Sequence, residues 1–472
     1  MFNSEDALNE IKFLDRKEAI VHQWNSLKLT VPPTVYPPRE DTQLLYDVLK
    51  SLKPFGSNRL LEIGSGSGAL ALSAAKRGWS VDACDVNPYA VAATRLNARE
   101  AQLEIHVIEG GVGPEHENWM NDGLSFGAYD MVIWNMPYIP ANEVKEQHLG
   151  PMEEAALIDT HPEGLLSVFA KRMASNRMCK LDGIALLVCR GHVGWKRSVD
   201  VLRQHGLAAR IVSSETFDDQ ETIYVIATWM PFVSSKHHIM AEIDSTNKEM
   251  LRGSYNVGDS LMAQRQTDGR GRHGSDWEDH PGAFKCSWLL DPEFLTEINP
   301  LRQLQVAQEV HAVFQLKENH ANQTIVKWPN DLLIRTQQEE KWRKYGGLLF
   351  QSYSKGKTQK LVLGVGINTQ TEILSPGQGA LEEIGIRHTS TELFPILNAV
   401  VASIFEEKHP SLRRHFDETY TSKFLLNSCI CRGESYTVID VLPNTLVLQN
   451  RVGVNVTVED DEHIEWVNLH QQ

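Results

Sequence analysis

The sequence predicts a chain of two α/β-type halves: a doubly wound, mostly parallel sheet first, then an α+β domain closed by a small β segment. Three observations carry this reading. The 472 residues amount to about two to three typical domains, so at least two hydrophobic cores are expected. Between about Asn58 and Tyr138 short apolar runs alternate with helical patterns, the rhythm of βαβ units. After residue 240 that rhythm gives way to neighbouring strands around a Gly/Arg-rich loop, and from about Asn427 to short alternating strands.

Composition bounds the partners. A chain 42% hydrophobic and 23% charged is a globular protein able to bury sizeable cores. Its formal charge of -15 argues against gripping a phosphate backbone, so nucleic acid is not an expected partner. Six cysteines without paired spacing fit a reducing cytosol, and the polar N-terminus and lack of a long apolar run predict neither a signal peptide nor a membrane span. A cytoplasmic location is the expectation.

The elements follow in order. Residues 1–30 are expected to form an N-terminal helical extension, and 31–231 the parallel-sheet domain. Within it RLLEIG, ALALSAAKRG, SVDACDV, PYAVAATRLNAREA, EIHVIEG and YDMVIWN read as alternating strands and helices. GIALLVC, a helix after Trp195, ARIVSSETF and ETIYVIATW close the sheet. Residues 232–239, with Pro, two Ser and the pair His237 and His238 nearby, are expected to be a linker; the histidines lack a partner at zinc-ligand spacing. The second domain is expected over 240–425, with helices near Ser245–Leu251 and Leu301–Lys317, a strand FKCSWLL, neighbouring strands or hairpins in IVKWPNDLLI, KYGGLLFQSY and KLVLGVGIN, and then a small barrel-like segment over 426–472.

The strand LLEIG runs straight into SGSG and an alanine-rich helix, which sets Glu62, Gly64, Gly66 and Gly68 at a helix N-terminus suited to a nucleotide-like ligand. The glycines alone do not separate NAD from S-adenosylmethionine, and Asp85, ending the next strand, could accept from the ribose hydroxyls of either. Fifty residues on, a strand ends in Asn135, Met136, Pro137 and Tyr138. Asn and Pro are common at strand ends, so a plain turn is the structural alternative. The tetrad is similar to the N-P-P-Y of methyltransferases acting on planar amide or amino nitrogens. A planar nitrogen is a poor nucleophile and must be held in line with the methyl group, which an Asn side chain and backbone carbonyls can do.

The stretch TVYPPREDTQLLYDVL resembles the VYEPxEDTxLL segment of the archaeal and eukaryotic release-factor glutamine methyltransferases, a likeness covering about 31–229. It implies a Rossmann-like class I methyltransferase fold and S-adenosylmethionine held by Glu62, Gly64, Gly66, Gly68, Asp85 and Asn135. It also implies catalysis by Asn135 and Tyr138, with Glu40, Asp41 and Thr42 near the cofactor. The implied reaction is N5-methylation of the GGQ glutamine of a class-1 release factor. Met136 replaces the first proline of the tetrad, and Gly110 and Gly111 follow Glu109 where an acidic adenine contact is expected; both bear on substrate more than cofactor. A DNA adenine methyltransferase would need base flipping and a basic groove. A small acid or acyl carrier, or a purely binding role, are further alternatives.

In the C-terminal half the densest motif is QTDGRGRHGSDW, where glycines that admit a phosphate to backbone N–H groups are interleaved with Arg270 and Arg272. A flexible surface loop or an RNA-contacting tract would share that composition. The loop is not alone: IDSTNKEM precedes it, and KWPNDLLI, RKYGGLLF and LGVGINT follow in order. Together these five motifs resemble the catalytic domain of biotin–protein ligases, over about 240–425. The resemblance implies that biotin is enclosed by Ser245, Thr246, Asn247, Gln266, Gly269, Arg270, Arg272, Lys344 and Gly347. ATP or biotinyl-AMP would be held by Trp277, Lys327, Asn330, Asp331 and Asn368, with Mg²⁺ arriving with ATP near Asp331. Catalysis falls to Lys344, Arg270, Arg272 and Lys327, and the partner is a biotin carboxyl carrier protein or domain of a carboxylase. Two anions must approach when a carboxylate attacks the α-phosphate of ATP, which these fixed cations and Mg²⁺ make tolerable. Gln264 replaces a frequent Glu, and His273 and Ser275 stand where further arginines are common. Lipoate is the alternative acyl group, and the last segment resembles a small SH3-like domain.

Overall fold

The computed structural model describes residues 18–112, 129–137, 139–140, 158–159, 161, 163–175, 178–190, 192–193, 196–217, 222–315, 320, 322–372, 374–412, 425–459 and 464–468. The chain divides into two compact units, Met1–Val233 with Glu407–Arg414, and Ser234–Glu406 with His415–Gln472. No described helix is long and apolar enough to cross a membrane. All six cysteines are buried and none is in a disulfide.

The first described elements correct an expectation. Instead of a helix, β1 (Ile20–Trp24) and β2 (Leu27–Val31) form an antiparallel hairpin closed by Asn25 and Ser26. The physical reason is the period of two in LKLTV, which buries Leu27, Leu29 and Val31 on one side. Asn25 takes the left-handed φ of 48° that an Asn tolerates. Residues 1–17 lie outside the described ones.

The sheet of the first unit is built from β3 (Arg59–Ile63), β4 (Ser80–Asp85), β5 (His106–Glu109), β6 (Tyr129–Asn135), β7 (Cys179–Arg190), β8 (Ala208–Thr216) and β9 (Thr222–Trp229). Their spatial order is β8-β9-β7-β6-β3-β4-β5, and only β9 runs antiparallel to its neighbours. The connecting helices are α1 (Glu40–Ser51), α2 (Ala69–Lys76), α3 (Pro88–Glu100), α4 (Leu165–Ala174) and α5 (Ser198–Gln204). From β3 the chain winds outward to β5 and then returns to β6 on the other side. The switch between β3 and β6 therefore opens a crevice at their carboxyl ends, where ligands bind in such sheets. The doubly wound sheet expected from sequence is the one observed. Leu61, Ile63, Val132, Trp134, Leu187 and Ile226 belong to its core.

In the second unit the expected linker is partly a strand. β10 (His237–Ile243) pairs in parallel with β11 (Ser260–Gln266), so the chain leaves its turn before His237 and enters the sheet there. The His pair is in that strand: His237 stacks on Phe394 at 3.6 Å, and its Nδ1 lies 2.9 Å from Ser260 Oγ. Between the strands runs α6 (Thr246–Arg252). The sheet continues through β12 (Phe284–Leu290), β13 (Thr324–Lys327), β14 (Asp331–Ile334), β15 (Arg343–Lys355) and β16 (Thr358–Ile367), in the order β10-β11-β12-β16-β15-β14-β13. α7 (Pro300–Ala312) and α8 (Ser390–Phe405) bear on it; α7 starts with Asn299 accepting from the Arg302 amide and ends short of the expected Lys317. Five antiparallel strands, β17 (Ser428–Cys431), β18 (Glu434–Val441), β19 (Leu446–Asn450), β20 (Asn455–Val458) and β21 (Ile464–Trp466), form the small C-terminal sheet.

Candidate functional sites

In the first unit the Gly-rich turn joins β3 to α2. Gly64, Gly66 and Gly68 have φ of 69°, 53° and 83°, a left-handed path closed to most side chains. A Cβ on Gly68 would also lie 2.7 Å from Leu72 Cδ1. Glu62 is 3% exposed and its Oε2 accepts from the Ala71 amide at 2.8 Å, capping a helix whose own N-cap is a glycine. Burial pushes its carboxyl well above the usual range. Asp85 closes the turn from β4: Oδ2 accepts from the Gly66 amide and Oδ1 from the Asn87 amide, both at 2.8 Å. Burial raises its pKa against those two bonds, and its carboxylate retains lone pairs for ligand hydroxyls.

Asn135 ends β6 across the crevice from the turn. Its Nδ2 donates to Asp41 Oδ2 at 3.0 Å, and its Oδ1 is buried without a hydrogen-bond partner among the described residues. Asp41 is itself 7% exposed, and its Oδ1 accepts from the Thr42 amide at 2.6 Å. Burial raises the Asp41 pKa, opposed by these hydrogen bonds. Glu40, by contrast, is an exposed partner of Arg39 at 3.2 Å. Met136 is buried with its Sδ 3.6 Å from Cys189 Sγ. Tyr138 lies outside the described residues.

In the second unit a cavity of about 230 Å³ collects Ser245, Thr246, Asn247, Gln266, Arg270, Arg272, Trp277, Asn330, Asp331, Lys344 and Gly347 on one lining. One end is a hydrogen-bonded cluster. Gln266 Oε1 accepts from the Thr246 amide at 2.7 Å and from its Oγ1 at 3.0 Å, and Asn247 Nδ2 donates to Gln351 Oε1 at 2.9 Å. Ser287 Oγ lies 2.8 Å from Thr246 Oγ1 and 2.6 Å from Asn247 Oδ1. The other end is ionic. Lys344 Nζ is 2.7 Å from Asp331 Oδ1 and Lys327 Nζ is 3.2 Å from Asp331 Oδ2. The two lysines hold the Asp331 carboxyl down at about 2, against a burial that would raise it.

The backbone explains that ionic end. Lys327 and Asp331 are cross-strand partners flanking the Trp328–Pro329–Asn330 turn between β13 and β14. On the other side of β14, Asp331 pairs with Gly347 and Leu332 with Gly346, but Leu333 pairs with Lys344. The extra residue, Tyr345, is a bulge, and without it Lys344 would fall on the opposite face of the sheet from Asp331. At Gly347 a Cβ would meet Lys344 Cε at 3.4 Å and Asp331 Oδ1 at 3.5 Å.

The Gly/Arg loop bends back on itself. Arg270 bridges Asp268 at 2.7 Å and Asp276 at 2.8 Å, and the Trp277 amide donates to Gly269 O at 3.0 Å. Trp277 lies over Gly366, where a Cβ would approach its ring to 2.6 Å, and its face is 5.7 Å from Lys344 Nζ. Its Nε1 is buried without a hydrogen-bond partner among the described residues. Three residues expected at the site border the lining instead of forming it: Gly269 behind Trp277, Lys327 behind Asp331, and Asn368, whose amide donates to Tyr345 O at 2.7 Å. Asn368 Oδ1 is buried and has no hydrogen-bond partner among the described residues, and its Nδ2 donates to Gln378 Oε1 and Gly379 O, both at 3.3 Å. Ser275 Oγ donates to Arg272 O at 2.8 Å; the side chain of His273 is outside the described residues.

Sequence reasoning missed three partners: Asp41 as the anchor of Asn135, the Tyr345 bulge, and Lys285, which reaches the cavity lining from β12. A lysine near the start of the mostly apolar run FKCSWLL was the available signal for the last. Among the described residues no group of three or more His, Cys, Asp or Glu is arranged to hold a metal ion.

Residues 39–181 match the family model of the methyltransferase small domain, and residues 229–368 that of the biotin/lipoate A/B protein ligase family. The first unit is similar to a putative protein N5-glutamine methyltransferase of Methanocaldococcus jannaschii, 35% identical over 118 residues, 25% of this chain and 54% of that protein. The second is similar to the bifunctional ligase/repressor BirA of Salmonella typhimurium, 30% identical over 158 residues, 31% of this chain and 47% of that protein. Among solved structures, the biotin protein ligase from Aquifex aeolicus in complex with biotin and ATP aligns with a TM-score of 0.38 and 22% identity, covering 49% of this chain and 97% of that one. The chain spans about half the length of the curated relatives it matches. Each of the two units therefore carries the match to one of these two family models.

Proposed function

We propose that the chain is a bifunctional protein-modifying enzyme. Its second unit joins biotin to ATP and transfers the biotinyl group to a lysine of a biotin carboxyl carrier protein or domain. Its first unit methylates the N5 amide of a glutamine in a class-1 release factor, with S-adenosylmethionine as donor.

The observation that carries the ligase reading is one cavity with an amide-and-hydroxyl cluster at one end and the Lys344–Asp331 pair, backed by Lys327, at the other. The cluster suits a neutral, hydrogen-bonding head such as the biotin ureido group. The cations suit a carboxylate meeting phosphate. In the first step a carboxylate oxygen bonds to the α-phosphorus and pyrophosphate leaves. Lys344, drawn between Asp331 and the incoming anions, offsets the charge of both, and Arg270 and Arg272 do so from the loop. Trp277, packed on Gly366, offers a face to the adenine. Asp331 is the one acidic residue of the described lining, so Mg²⁺ brought by the nucleotide would meet it there and supply further charge neutralisation. In the second step an acceptor amine attacks the acyl carbon, AMP leaves, and the amine loses a proton.

The methyltransferase reading rests on Asn135. With Nδ2 committed to Asp41, its Oδ1, which has no partner among the described residues, is an acceptor for one N–H of a target amide, which holds the nitrogen in line with the sulfonium methyl. The turn with Asp85 would hold the nucleoside of the donor.

The test is incubation of the full chain with a carboxylase carrier domain, biotin and Mg-ATP, with lipoate as the control acid, and separately with a class-1 release factor and S-adenosylmethionine. Mass spectrometry is expected to find one biotinyl-lysine on the carrier and one methyl on the GGQ glutamine. A carrier that gains no biotin, or gains it undiminished with both Lys344→Ala and Arg270→Ala, overturns the ligase reading. An unmethylated release factor overturns the methyl-acceptor assignment alone.

A further inference from the structure

Lys285 is the second residue of β12 and is 1% exposed. A period of two puts it on the same face as Ser287, which lies against Thr246 and Asn247, and its side chain accordingly reaches the cavity lining. An ammonium taken out of water carries a heavy desolvation cost. A well-packed apolar residue of similar volume is often as stabilising as a buried ion pair.

What Lys285 does is read from its partners. Nζ donates to Asp279 Oδ1 at 2.6 Å, to Gln264 O at 2.7 Å and to His280 O at 3.4 Å. These acceptors belong to the two stems of a single loop. Gln264 is in β11, just before the chain leaves the sheet after Gln266; Asp279 and His280 come just before it re-enters at Phe284. Between the stems the loop carries Arg270, Arg272 and Trp277. Much of its internal bonding is to itself, from Arg270 to Asp268 and Asp276 and from the Gly271 amide to Ser275 O. Its flanks are also tied outward, the Thr267 and Asp268 amides to Ile243 O and Asp244 O, Lys248 to Asp268, and Ser375 and Gln378 to Glu278, but these bonds do not join one stem to the other. An ammonium with three directed donors can fix both stems at once, which an apolar side chain cannot.

We propose that Lys285 is a positioning residue that staples the base of the Gly/Arg loop, so that Arg270, Arg272 and Trp277 stay over the acyl-adenylate until the acceptor amine takes it. The inference rests on the ligase reading of this cavity. Without the staple the closed loop competes with a larger set of open ones, and the intermediate escapes.

The test compares the full-length wild type with Lys285→Met and Asp279→Asn, each given biotin, Mg-ATP and a carboxylase carrier domain. The readout is the ratio of free biotinyl-adenylate in solution to biotinyl-lysine formed. A merely structural defect lowers both products together and leaves that ratio unmoved. Lys285→Met is expected to raise it about tenfold, as losing charge-assisted hydrogen bonds implies. Asp279→Asn, which keeps an acceptor oxygen, is expected to raise it less. A wild-type ratio in folded Lys285→Met overturns the proposal; should that variant not fold, a wild-type ratio in Asp279→Asn overturns it. A wild-type chain that forms no adenylate is a different failure, that of the ligase reading itself.

Discussion

Replacing Gly364 by alanine should abolish tight biotin binding while leaving ATP binding intact. Gly364 in β16 lies directly opposite Ser287 in β12, and the Asn247 amide sits over it. A Cβ at Gly364 would lie 2.3 Å from Asn247 Oδ1 and 3.1 Å from its Nδ2, far inside van der Waals contact. Asn247 has no easy retreat. It is 4% exposed, its Oδ1 is 2.6 Å from Ser287 Oγ, and its Nδ2 donates to Gln351 Oε1 at 2.9 Å and Leu349 O at 3.2 Å. Swinging the amide aside breaks two or three such bonds, each worth about 1 kcal/mol, so the head-group end of the cavity loses roughly 2–3 kcal/mol. That corresponds to a biotin Kd weakened about 30- to 150-fold. The ionic end with Asp331, Lys344 and Trp277 is untouched, so the ATP Kd is expected to stay within about twofold. Isothermal titration with each ligand reads both numbers. The double variant Gly364→Ala with Asn247→Ala should show less than the sum of the single effects, since both act through one amide. Biotin affinity within about threefold of wild type in Gly364→Ala would refute the assignment of this cluster.

Three further expectations follow from the same geometry. Asp41→Asn frees the Asn135 amide to turn, and kcat for methyl transfer is expected to fall about 10- to 100-fold with little change in S-adenosylmethionine Kd. Because burial raises the Asp41 pKa above 3.8, the wild-type rate should show an acidic limb above the ordinary aspartate range that the variant lacks; a shared limb contradicts the role. Gly68→Ala, forced against a φ of 83° and Leu72, should weaken S-adenosylmethionine binding measured by titration, and an unchanged Kd would contradict the turn's role. Asp331 has a folded pKa near 2 against 3.8 unfolded, so it contributes about 2 kcal/mol of stability above pH 4, and this is lost as pH falls toward 2. Calorimetry between pH 5 and 3 should show the stability gap between wild type and Asp331→Asn narrowing by roughly half, whereas a constant gap contradicts the ion triad.

Much of both units was legible because local pattern and global fold agree. The turn from Gly64 to Gly68, the strand ending at Asn135 and the KWPND hairpin each declare themselves within about ten residues, which is the reach of periodicity and turn chemistry. What escaped depends on partners far along the chain. β10 looks like a linker because its one strand partner among the described residues is β11, in parallel, across α6. The anchor of Asn135 is Asp41, 94 residues earlier, and nothing near either residue signals the other. The Tyr345 bulge, which turns Lys344 toward Asp331, is invisible to a strict alternation of faces. Lys285 breaks an apolar strand, yet its meaning appears only when Gln264 and Asp279 are seen on either side of it.

The most direct test of the account is biotin-dependent exchange of labelled pyrophosphate into ATP by the full chain, with no acceptor protein present. That exchange reports only reversible adenylation in the cavity holding Lys344, Asp331 and Asn247. The account predicts exchange that requires biotin and is lost in Lys344→Ala. Exchange that is absent with biotin, or that persists unchanged in Lys344→Ala, would contradict it.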